Sequence, residues 1–93
     1  MSKKQLHLKS TVAEAQRARA IAALMTGPKT SYDLRRIGLY QAPARILELR
    51  RRGYEIATSL VQITDADGYP HKGIAMYTLV AAPVKEASHA DHE

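Results

Sequence analysis

The sequence contains no cysteine, so it has no disulfide framework and no thiolate ligands for a structural metal. Long apolar runs are missing as well. The longest, Ala20 to Met25, is far short of the roughly 20 residues that span a bilayer, which argues against a membrane protein. The N-terminal lysines lead into polar residues and not into an apolar stretch, so no secretory signal is expected. Arrangements that carry catalysis are also lacking: there is no Ser-His-Asp spacing and no glycine-rich phosphate loop. His89 and His92 flank Asp91 in an H-x-x-H pattern, but the surrounding tail offers no scaffold to hold ligands, and His7 and His71 are isolated. From these absences we expect a cytoplasmic, non-enzymatic protein with no metal or other cofactor.

What is present suits one small globular domain. The chain has 93 residues, 45 % hydrophobic and 25 % charged, a length that buries roughly 60 % of the extended-chain surface around a single core. The net charge of +5 is unevenly spread. Residues 1–10 carry three lysines and no acid; residues 11–53 carry nine Lys and Arg against Glu14, Asp33 and Glu48; residues 54–93 carry two lysines against six acids. A basic first half implies a negatively charged partner met by that half.

Local signals divide the chain. Residues 1–10, with no periodicity, read as a basic flexible arm. Thr11 with Glu14 three positions on resembles a capping box, and Gly27-Pro28 is a stop, which predicts a first helix from Val12 to Thr26. Its expected core stripe is Ala18, Ile21, Ala22, Leu24 and Met25, with Arg17 and Arg19 pointing elsewhere. A short second helix follows, capped by Thr30 or Ser31, burying Leu34 and Ile37, with Gly38 as its C′ residue. A third helix is expected from Ala42 to Arg52, with Pro43 in its first turn and Gly53 as its stop. Two helices joined by a few residues containing glycine make a helix-turn-helix.

The remainder is strand-like. EIATSLVQITD and GIAMYTLV flank the turn-forming DADGYP. A two-residue type I′ turn at Asp67-Gly68 pairs Ile56 with Leu79, Thr58 with Tyr77 and Leu60 with Ala75. Ile56, Leu60, Ala75, Tyr77 and Leu79 then share the core face. Val61, Ile63, Ile74 and Met76 occupy the outer face, more apolar than a solvated ribbon requires, which points to a homodimer or protein partner through that face. Residues 82–93 read as a flexible tail, leaving residues 11–81 as the domain.

Three helices followed by a two-stranded antiparallel hairpin are the α+β order of a winged helix-turn-helix. The chain resembles a family of small winged helix-turn-helix proteins found largely in phages and prophages, whose pattern is P-x-R-I-x-E-L-R-x-x-G-x-x-I followed by A-x-Y-x-L. The matching positions are Pro43, Arg45, Ile46, Glu48, Leu49, Arg50, Gly53, Ile56, Ala75, Tyr77 and Leu79, and the likeness spans about residues 15–80. It implies the fold, and by analogy a role in DNA binding.

Helical phase assigns the third helix residue by residue. At about 100° per residue, Ala42, Ile46, Leu49 and Gly53 face the core. Gln41, Ala44, Glu48 and Arg51 fall opposite, with Arg45 and Arg52 at the margin. Gln41, Ala44 and Arg45 stand near the helix start, the end that helix-turn-helix proteins direct into the major groove, and are the expected base readers. Arg51 and Arg52 are expected to meet phosphate, as are Arg35 and Arg36 of the second helix and Lys72 of the hairpin turn. Arg50, nearer the buried flank, is expected to pair with a carboxylate or a backbone carbonyl. Glu48 is expected to pair with Arg45, Arg51 or Arg52. The function implied is sequence-specific binding of double-stranded DNA, as a phage or prophage transcriptional regulator. The alternative is a winged-helix protein-interaction module, an adaptor or inhibitor that does not bind DNA.

Overall fold

A computed structural model describes the backbone of residues 2–84 and the side chains of residues 12–84. The elements run α1 (Ser2–Met25), β1 (Lys29–Thr30), α2 (Ser31–Arg36), α3 (Ala42–Arg51), β2 (Glu55–Thr64) and β3 (Pro70–Ala81). The tail reading beyond Val84, with its H-x-x-H pattern, lies outside the described residues.

The first helix begins well before Thr11, so the Thr11–Glu14 pair stands inside it and does not mark its start. It ends as expected at Gly27, whose φ of 139° suits only glycine. Its inward face differs from the expected stripe. Ala20 and Leu24 are buried and Ile21 and Ala23 pack against them, whereas Ala18, Ala22 and Met25 are exposed. A helix this rich in alanine has little hydrophobic contrast between its faces, so periodicity alone does not set its phase.

Glycines stop the next two helices by the same device. At the end of α2, Gly38 (φ 92°) donates to the Arg35 carbonyl and Leu39 to that of Leu34. This Schellman closure satisfies two helix-end carbonyls and turns Leu39 inward against Leu34. Leu39 is therefore a core residue, and Ile37, expected to be buried, is exposed. Gly53 (φ 100°) closes α3 in the same way, with Gly53 donating to Arg50 and Tyr54 to Leu49. The core is Ala20, Leu24, Leu34, Leu39, Ala42, Ile46, Leu49, Ile56 and Tyr77.

The sheet has three strands in the order β1-β3-β2. β1 is the addition to the expected hairpin: Lys29 and Thr30 pair with Tyr77 and Met76, and a two-residue strand carries too little pattern to be read beforehand. Ile56 pairs with Leu79, Thr58 with Tyr77 and Leu60 with Ala75, as expected. The turn that produces this register is a different one. Asp67 does not have positive φ, which rules out type I′. Instead Asp65 N–H donates to the Tyr69 carbonyl and Gly68 N–H to that of Asp65, closing a three-residue loop with Gly68 at φ 89°. That loop slips the distal pairs, so Ile63 faces His71 and not Lys72. Lys72 and Gly73 then oppose Gln62 in a β-bulge with Gly73 at φ 68°, and the extra residue restores the register toward the core.

One core-face residue departs from expectation. Leu60 is 70 % exposed, because it sits on the edge strand where the helical layer does not cover the sheet. Val61, Ile63, Ile74 and Met76 are half-buried.

Candidate nucleic-acid interface

The helix-turn-helix is held at each joint by local bonds. Thr30 caps α2: its hydroxyl accepts from Asp33 N–H at 3.0 Å while the Asp33 carboxylate accepts from Thr30 N–H at 2.9 Å. Beyond the Gly38 closure, Gln41 is the N-cap residue of α3, makes no side-chain cap bond and is exposed. Pro43 occupies the first turn, where no N–H partner is lost. Between α2 and the start of α3 lies a notch of about 300 Å³ bordered by Ser31, Tyr32, Arg35, Tyr40 and Pro43.

Three buried residues, Ala42, Ile46 and Leu49, fix α3 to the core. The opposite arc carries Pro43, Leu47 and Arg51, all exposed, and half-buried Ala44. The margin expected to carry Arg45 outward faces α1. Glu48 sits between two arginines there, accepting from Arg17 Nη1 at 2.8 Å and Arg45 Nη2 at 2.9 Å. Arg45 Nη1 also donates to Gln16 Oε1 at 3.3 Å. The Arg17 and Arg45 side chains are only 12 % and 17 % exposed. Their Nε groups are buried with no partner among the described residues, which offsets part of what the ion pairs contribute. The hydrogen bond from Arg17, joined by the charge and hydrogen bond of Arg45, holds the Glu48 carboxyl below its ordinary range against partial desolvation.

Gln41 and Ala44 stand on or beside the outward arc. Arg45 does not stand free for reading: its guanidinium is committed to Glu48 and Gln16, because Arg17 and Gln16 of α1 lie against this margin. Arg17, expected to point elsewhere, is the other half of that clamp. Arg51 is exposed on the arc, whereas Arg52 borders a groove of about 670 Å³ on the α1 side, with Glu14, Arg17 and Tyr54. Arg35 borders the α2–α3 notch; Arg36, one helical step on, borders a separate cleft with Pro28 and Lys29. Arg50 behaves as expected, donating to the Ile56 carbonyl from Nε at 3.0 Å and Nη2 at 2.6 Å, and from Nη2 to Thr58 Oγ1 at 2.7 Å.

Lys72 is exposed at the bulge. Beside it, His71 Nε2 meets Asp65 Oδ2 at 2.8 Å, and His71 Nδ1 meets the Tyr32 hydroxyl at 3.5 Å. Asp65 Oδ1 accepts from Asp67 and Tyr69 N–H, each at 2.9 Å. The His71 hydrogen bond, with these backbone bonds, lowers the Asp65 carboxyl below its ordinary range. The wing turn is thereby organised locally and touches α2 through Tyr32.

Helical phase passes over two features of this surface. Leu47, in the middle of α3, is 48 % exposed, and Tyr40, in the connection before it, is 68 % exposed. The signal was available: a leucine three residues after Ala44 and four before Arg51 breaks the amphipathic pattern. The Tyr32–His71 contact carries no such signal, since its partners are 39 residues apart.

A sequence model described as a winged helix-turn-helix domain matches residues 15–82. No curated protein and no solved structure matches the chain.

Proposed function

Because the chain belongs to the winged helix-turn-helix domain family, we propose that it binds double-stranded DNA sequence-specifically, with α3 in the major groove, as a transcriptional regulator of phage or prophage type. The observation that carries this reading is the outward arc of α3, unpartnered among the described residues and bordered by exposed Arg35 and Arg51. Gln41 and Ala44 are the base readers nearest the helix start. Arg45 reads a base only if Glu48 releases it, so its first role is to set the angle of α3. Arg35 and Arg51 are the leading phosphate contacts, with Arg36, Arg52 and Lys72 reached as the duplex extends to either side. The phage character rests on the sequence resemblance alone.

Mobility shift against duplex DNA at several salt concentrations tests the proposal. Affinity should fall on a log–log plot with a slope of roughly −0.9 per phosphate neutralised. Absence of salt-sensitive binding to any duplex overturns it.

A second reading, the protein-interaction module, is favoured by the hairpin. Ala57 to Thr64 carries no charge, lies on the edge strand and exposes Leu60, whereas natural edges are commonly guarded by charge or proline. Light scattering over a range of concentrations separates the cases. A dimer restores the regulator reading, because paired domains suit a two-part site; a monomer indifferent to DNA favours a different protein as partner.

A further inference from the structure

The outward arc of α3 is not uniformly polar. Leu47 stands at its centre, 48 % exposed, with Pro43 and Ala44 a turn before it and Arg51 a turn after. The core does not need it, since Ile46 and Leu49 already fill the inward side. Resting on the reading of α3 as the groove helix, we propose that Leu47 determines specificity by packing on the C5-methyl group of a thymine. The DNA site then carries a T·A pair at that position.

Base edges in the major groove present donors and acceptors, with one apolar group among them, the thymine methyl. Leucine set against guanine, cytosine or adenine buries polar atoms without partners, which is unfavourable. Set against thymine, it buries apolar surface on both sides. Pro43 and Ala44 are short, so nothing on the preceding turn holds Leu47 away from a base edge. The charge around the arc points to the same occupant. Arg51 on the helix and Arg35 across the notch are exposed, which favours a phosphate-lined groove over an apolar protein groove.

The experiment selects bound sites from a random duplex library with the full chain, then replaces each thymine in turn by deoxyuridine, which removes only the methyl. At one position the loss should weaken wild-type binding about fourfold, the value of burying one such group, and should leave Leu47→Ala unaffected. Leu47→Gln should shift the selected base at that pair away from thymine. Both variants should unfold thermally as the wild type does, because the side chain is outside the core. Normal salt-sensitive binding with no methyl effect, or the same methyl effect in Leu47→Ala, overturns this inference and leaves the reading of α3 standing. No salt-sensitive binding at all overturns both.

Discussion

Neighbouring arginines on α3 have different work, and substitution separates them. Arg51 projects from the outward arc, so Arg51→Ala should weaken binding to all duplexes alike and reduce the salt slope by about 1. Gln41→Ala should instead relax preference at one base pair, by about 1–3 kcal/mol; binding curves on single-position variants of a selected site would show equal effects if this division were wrong. Glu48 answers to pH. Its folded pKa lies below the ordinary 4.5, so the carboxylate contributes stability that is full above that value and is lost as pH falls through the lowered one. Glu48→Gln should therefore be less stable than wild type at neutral pH, with the gap closing in acid. Chemical denaturation at pH 7 and at successively lower pH checks the sign.

Helix stops were legible in the sequence at the glycines that form them, whereas the Thr11–Glu14 pair, equally local, marks no helix start. Gly38 and Gly53 act through closures whose bonds reach no further than five positions, Pro43 takes a first-turn position that needs no N–H partner, and of the two caps expected for α2, Thr30 and Ser31, it is Thr30 that forms. Thr30→Ala removes the α2 cap and should cost about 1 kcal/mol in equilibrium unfolding. The hairpin shows the limit of that legibility. Its register near the core was anticipated through a turn that does not form; the longer loop and the Gly73 bulge compensate for one another. An added Cβ at Gly73 meets nothing within 4 Å, so only its left-handed backbone resists substitution. Gly73→Val should destabilise by about 1–2 kcal/mol and Gly73→Asn by less, because Asn tolerates that conformation. Cross-strand NOEs between Ile63 and His71 would report whether the distal register has slipped.

The fold rests on one small core which, among the described residues, holds four fully buried large side chains, Leu34, Leu39, Ile46 and Leu49. A domain of this size has a stability of roughly 5–15 kcal/mol, and truncating a buried leucine typically costs about 2–5 kcal/mol. Leu34→Ala should consequently remove a large share of that stability and lower the melting temperature markedly. Leu47→Ala should leave structure intact. Circular dichroism melts of the two variants side by side distinguish a core leucine from an interface leucine.

The sequence by itself determined the order of helices and hairpin, the glycine stops of the helices, the core face of α3 and the turning of Arg50 toward a structural partner. All of these depend on residues close along the chain or on a repeat period. Packing alone decided the rest. Arg17 meets Glu48 across 31 residues, β1 joins the sheet against the middle of β3, and α1 turns a face that its alanines do not specify. The position of α1 draws Arg45 into bonds with Gln16 and Glu48, and the open arc beside it exposes Leu47. Neither outcome follows from helical phase, because phase gives a side chain's direction about its own axis and not what stands in that direction.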